Sequence, residues 1–145
     1  MLENYKKHVE ERAEQNIPPL PLDADQTSEL IELLKKDHQE SDVLLDLLKE
    51  RVPAGVDQAA YVKAAFLADI TTGKANSPYI TKIDAVKILG TMLGGYNIQP
   101  LIECLKDNEL AEAAANVLSR TLLIFDAFNE IFELCLLYTS DAADE

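Results

Sequence analysis

Apolar residues recur along this chain at three- and four-residue spacing, interrupted at short intervals by proline, glycine or a polar cluster, which is the pattern of short amphipathic helices. From Glu3 to about Gln15 the segment is rich in Glu, Lys and Arg, and predicts a solvated helix with a thin apolar stripe, Glu3 and Lys7 one turn apart. Ile17-Pro18-Pro19-Leu20-Pro21-Leu22 then dictates extended backbone, because each proline restricts the residue before it and offers no N–H. The leucines of this rigid connector are expected to pack.

Asp23 or Asp25 is placed to cap a helix carrying Leu30, Ile31, Leu33 and Leu34, and Ser41 or Asp42 to cap the next, carrying Val43, Leu44, Leu47 and Leu48 up to Val52-Pro53-Ala54-Gly55. Asp57 caps a third, with Ala60, Val62, Ala64, Phe66, Leu67 and Ile70 as its apolar surface and Thr71-Thr72-Gly73 as its end. A loop containing Ser77-Pro78 leads to Thr81, which starts a helix carrying Ile83, Val86, Ile88, Leu89, Met92 and Leu93 until Gly94-Gly95. Asn97 is positioned to cap the following helix, with Pro100 tolerated in its first turn and Leu101, Ile102 and Leu105 inward. Asp107-Asn108 turns into a helix from Glu109 to Ser119, and a last one begins near Arg120 with Leu122, Ile124, Phe125, Phe128 and Phe132. No period-2 segment reads as a strand. The pattern predicts an all-α fold, a HEAT-like array of short antiparallel helix pairs, although no repeat aligns by sequence alone.

Composition supports that architecture and narrows the function. The 145 residues are 48% hydrophobic but only 6% aromatic, with Leu and Ala dominating, which suits closely packed helices. With 26 acidic against 13 basic residues the net charge is −13, which repels a phosphate backbone or an anionic membrane surface. The N-terminal segment has no apolar signal region and no run is long enough to span a bilayer, so a cytoplasmic protein without membrane contact is expected.

Candidate chemistry is sparse. His8 and His38 lie in charged segments and read as surface histidines, and Cys104 and Cys135 form neither a CxxC pair nor a Cys/His cluster. The carboxylates fall at helix starts and on polar faces, where capping and solubility account for them. Leu89-Gly90-Thr91-Met92-Leu93-Gly94-Gly95 is glycine-rich but follows a helix and lacks the Lys-Ser/Thr of a phosphate loop, so it reads as a helix end and a close helix contact. No catalytic, cofactor-binding or metal-ligating residue is expected in this chain.

Residues 135–145, CLLYTSDAADE, break the amphipathic pattern of the last helix. They match one translated frame of a transposase-derived sequencing adapter, so the expectation is a native domain over residues 1–134, cut within a helix, followed by a non-native tail.

Three stretches carry a family resemblance: Leu47 to Leu67 (LLKERVPAGVDQAAYVKAAFL), Ile88 to Leu101 (ILGTMLGGYNIQPL) and Leu118 to Phe128 (LSRTLLIFDAF). Together with the opening MLENYKKHVEERAEQNIPPLPLDADQ they resemble, in register up to Leu134, the amino-terminal domain of bacterial aconitate hydratase B, also a 2-methylisocitrate dehydratase. Gln99, where the family often has His, and residues 129–134 depart from the pattern. The resemblance implies a HEAT-like domain at the front of a longer, multidomain hydro-lyase that interconverts citrate and isocitrate through cis-aconitate at a [4Fe-4S] cluster. The cluster cysteines, the serine base and the substrate-binding arginines of that family lie in later domains, so no position here inherits them, Cys104 included. The implied partners are the remaining domains of the parent enzyme, a second copy in a homodimer and other metabolic enzymes, with RNA binding confined to the parent. The competing reading of the residues is a free-standing helical-repeat adaptor.

Overall fold

Three helix starts are set by side chains that take up backbone N–H groups left without partners in a first turn. Asp23 caps α2 (Ala24–Leu34): its carboxylate accepts from the Gln26 N–H at 2.8 Å while the Gln26 side chain accepts from the Asp23 N–H. Thr81 and Asp84 form the same reciprocal box at the start of α5 (Lys82–Leu89). Asp57 caps α4 (Gln58–Thr72) through the Ala59 N–H, and Gly73, at φ 78°, closes it in the left-handed conformation that glycine adopts without steric cost.

The computed structural model describes residues 1–121, 124 and 127–143, with side chains through Leu136. All regular structure among these residues is helical. Besides those helices it comprises α1 (Leu2–Glu14), α3 (Ser41–Asp46), which continues into a π-turn over Leu47–Arg51, α6 (Ile98–Leu105), α7 (Ala111–Leu118) and α8 (Phe128–Ala143). Helix α4 packs against α2, α5 and α6, α5 packs against α7, and α7 against α6. One continuous core runs through these contacts, from Leu22 and Leu30 through Leu67 and Leu89 to Leu101 and Leu118.

Helix α1 is held largely by polar stitches. Tyr5, buried, donates to the Leu20 carbonyl and accepts from Arg51 Nε, Arg51 Nη2 reaches the Pro19 carbonyl at 2.7 Å, and Arg12 Nε reaches that of Pro18. Lys6 pairs with Glu40 at 2.7 Å. The prolines remove N–H donors from the connector but leave its carbonyls, and these side chains satisfy them. Leu22 is buried there as expected, whereas Leu20 is exposed: its backbone, not its side chain, is what the fold uses.

Several boundaries differ from the sequence reading. Neither Ser41 nor Asp42 caps α3; Glu40 holds the cap position without a side-chain cap, its N–H taken by His38 Nδ1. Helix α5 stops at Leu89 rather than at Gly94-Gly95, and the reason is Asn97. That buried side chain stands at the start of α6 but makes no N-terminal cap; its amide donates backward to the carbonyls of Leu89 at 2.8 Å and Met92 at 3.1 Å, closing the end of α5. Asp107 accepts from the Glu109 N–H in the turn before α7, so regular helix begins only at Ala111.

The last helix begins at Phe128, not near Arg120; Leu122 and Phe125 of that expectation lie outside the described residues. Its buried side faces inward through Ile131, with Leu134 partly covered, and leaves Phe128 and Phe132 outside. The loss of amphipathic pattern after Leu134 does not end the helix, which runs to Ala143 through a segment free of proline and glycine.

The Asn97 arrangement makes a sharp prediction. Asn97→Asp keeps the shape but replaces the donor by an acceptor facing two carbonyls, and should cost about 3 kcal/mol or more by leaving buried polar groups opposed. Urea unfolding of the two proteins checks it, and an unchanged midpoint would show that the backward bonds contribute nothing.

Candidate functional site

The residues with chemical potential in the sequence turn out to be structural. His8 is half-buried and its Nε2 accepts the Leu20 N–H at 3.0 Å; His38 is likewise half-buried, and its backbone N–H donates to the Tyr79 hydroxyl at 2.6 Å. Both histidines thus lie partly covered at the surface, where each holds a loop in place. Cys104 is 3% exposed and hydrogen-bonded to Thr71, and burial pushes its thiol up from the ordinary value, the opposite of what a reactive or ligating thiolate requires. A cluster held by cysteine thiolates needs several converging on one point. This chain has two, Cys104 on α6 and Cys135 on α8, and among the described residues no group of three or more His, Cys, Asp or Glu is placed to hold a metal ion. The residues here do not fit an iron–sulfur cluster.

The glycine-rich segment after α5 is a packing device, as its position after a helix suggests. A Cβ on Gly90 would lie 2.7 Å from Val117 Cβ on α7, and one on Gly94 would collide with the Gly55 carbonyl. The close approach at Gly94 lets the Leu93 N–H bond to the Ala54 carbonyl at 2.8 Å, joining the loop before α4 to the loop after α5. Tyr96 finishes the junction, its ring edge-on to Tyr61 at 5.4 Å and its hydroxyl donating to the Val56 carbonyl.

Beside that junction lies the feature that sequence reading missed. Helix α4 buries two stripes, Ala59-Lys63-Phe66-Ile70 and Ala60-Ala64-Leu67-Thr71, and the first contains a cation. Lys63 is 1% exposed, and among the described residues its ammonium makes no hydrogen bond and no ion pair. It lines a cavity of about 410 Å³ with Lys49, Glu50, Ala54, Asp84, Lys87, Ile88 and Thr91. Burial lowers its pKa to about 8, only partly opposed by the Glu50 carboxylate. The Asp84 carboxylate is engaged with the Thr81 N–H, which holds its pKa below the ordinary value. The signal was present in the sequence: position 63 falls four residues after Ala59 and three before Phe66, inside an apolar stripe.

The folded chain as a whole can now be placed among known proteins. The aconitate B N-terminal domain family matches residues 4–143. The chain belongs to that family. Over 134 residues, 92% of the chain, it is 58% identical to the aconitate hydratase B of Pseudomonas aeruginosa and equally to that of Escherichia coli. The Helicobacter pylori aconitate hydratase B is 46% identical over 132 residues. The chain spans only 15–16% of the length of these relatives. The family match reaches beyond residue 134, into the segment expected to be foreign.

The buried lysine sets a pH-dependent term. Between pH 8 and the ordinary lysine value of 10.5 the unfolded chain keeps a proton that the folded chain has lost, so stability rises with pH across that window. The full cost of the buried charge, about 3 kcal/mol at one pKa unit per 1.36 kcal/mol, is felt below pH 8. Lys63→Met should therefore stabilise the domain at pH 7 by about 1–3 kcal/mol and flatten the alkaline rise. The readout is the difference between the two proteins in urea midpoint at pH 7 and pH 10; parallel profiles would refute it.

Proposed function

We propose that this chain serves as the N-terminal domain of an aconitate hydratase that interconverts citrate and isocitrate through cis-aconitate and acts on 2-methylisocitrate, and that it works in the cytoplasm. The observation that carries this reading is 58% identity, over 92% of the chain, to proteins named aconitate hydratase B. The chemistry belongs to domains outside this chain, including the [4Fe-4S] cluster, the base and the substrate arginines. The domain's own role is contact with those domains, with a second copy and with other enzymes of the same cycles, and control of access to the active site; RNA binding is a property of the parent.

Surface features support a contact role. Phe128 and Phe132 are 61% and 54% exposed and stack at 6.2 Å on the outer side of α8, with Leu136 one turn further on. An apolar stripe of this kind on an acidic domain is the surface a neighbour would cover.

Two outcomes test the reading. The 145-residue chain, reconstituted with iron and sulfide, should form no cis-aconitate from citrate by ultraviolet absorbance, whereas the enzyme encoded by the whole locus should; turnover by the chain alone would overturn it. The isolated chain should also self-associate in sedimentation velocity, and Phe128→Glu with Phe132→Glu should return it to monomer. A wild-type chain that is monomeric at all concentrations would show that the stripe needs no cover.

A further inference from the structure

The chain is acidic almost everywhere, yet cations gather at one place. The 410 Å³ cavity takes Lys49 from the π-turn, Lys63 from α4 and Lys87 from α5. A second cavity of about 300 Å³ shares Lys87 and Thr91 with it and adds Arg120, with Gly90 and Val117 forming its wall. Two carboxylates, Glu50 and Asp84, line the first cavity, but Asp84 is engaged in the cap of α5 and Glu50 is an exposed residue. None of the three lysines makes a close ion pair with a described residue; Glu50 attracts Lys63, and Asp84 attracts Lys49 and Lys87, without direct contact, so three cations face two carboxylates.

Lys63 is the decisive member. A buried ammonium that makes no hydrogen bond and that Glu50 offsets only in part is unfavourable for folding, and the cavity it lines is where a further partner would stand. The exposed lysines can reach the same space from the rim, because a long stem leaves the head free to follow a ligand. We propose that these adjoining cavities form a binding site for a small multivalent anion, of carboxylate or phosphate type, with the Lys63 ammonium at its floor and Lys49, Lys87 and Arg120 at its rim.

The proposal goes beyond the N-terminal-domain assignment and does not depend on it. A compact ligand fits better than a polymer: the cavities have the dimensions of small-molecule sites, and the surrounding net charge of −13 repels an extended polyanion.

The experiment is an NMR titration of the isotopically labelled 145-residue chain at fixed ionic strength, with inorganic phosphate in one series, citrate in another and chloride as the reference. Saturable shifts are expected at the amides of Lys63, Lys87 and Thr91 with a Kd of about 1 mM or tighter. Saturation by phosphate alone, by citrate alone or by both supports the site and assigns the anion class. Lys63→Met should weaken binding about tenfold, the loss of one charge-assisted hydrogen bond, while far-UV circular dichroism stays unchanged. Lys87→Gln, at an exposed position, should weaken it severalfold and provides the second arm should the first variant fold poorly. Shifts that fail to saturate in both series, or binding equally tight in both variants, would overturn the proposal.

Discussion

The burial of α4 on two sides is the constraint on which the rest of the structure depends. Helices α5, α6 and α7 have eight residues each, too few to hold helical structure alone in water, so each exists only because a neighbour covers its apolar face. Helix α4 is longer and carries two apolar stripes instead of one. It can therefore cover α2 and α5 together, and through α5 and α6 it supports α7.

Short helices multiply ends, and every end presents backbone groups that must find partners. In this chain several of those partners are side chains distant in sequence. Ser77 Oγ takes the Leu34 carbonyl at 2.6 Å at the end of α2, and the Tyr79 hydroxyl bridges the His38 backbone in the next loop. Tyr5, His8, Arg12 and Arg51 clasp the proline connector. The imidazoles and guanidinium groups that would draw attention as catalytic candidates are occupied with keeping loops in place. The π-turn after α3 belongs to the same arrangement: it buries Leu47 and Leu48 and leaves the Arg51 carbonyl to accept the Leu22 N–H at 2.9 Å.

What was legible in the sequence was what is local. Asp23, Asp57, Thr81 and Gly73 act within a few residues of themselves, and each performs the role its type and position suggest. The family was legible too, through stretches such as Leu47 to Leu67 and Ile88 to Leu101, which contain the two loops that meet at the Gly94–Gly55 contact. Illegible were the groups whose partners are distant in sequence or reversed in direction. Asn97 looks like a forward cap and works backward. Leu20 reads as apolar packing, but its carbonyl and N–H are what the fold engages. The helix beginning at Phe128 shows the limit of periodicity: a three- and four-residue spacing marks an apolar face without saying whether this chain or another surface covers it.

Lys63 joins these arguments. In an apolar stripe it contradicts the packing that the array depends on, since a methylene-rich side chain can fill the space between α4 and its neighbours but its charged head cannot be left in a low-dielectric core. The conflict is resolved geometrically: the head lines a cavity where α4, α5 and the π-turn meet. That cavity exists because the π-turn brings Lys49 and Glu50 to the edge of α5 and because the Ala54–Leu93 contact fixes the two loops beside it. The same junction that carries the family's sequence signature therefore also creates the space into which the buried cation can extend. Most of the other charged residues form helix caps, surface ion pairs or solvated faces; at this one site the scaffold gathers three lysines around a cavity whose two carboxylates, Glu50 and Asp84, offset them only in part, an electrostatic feature that the fold alone does not require.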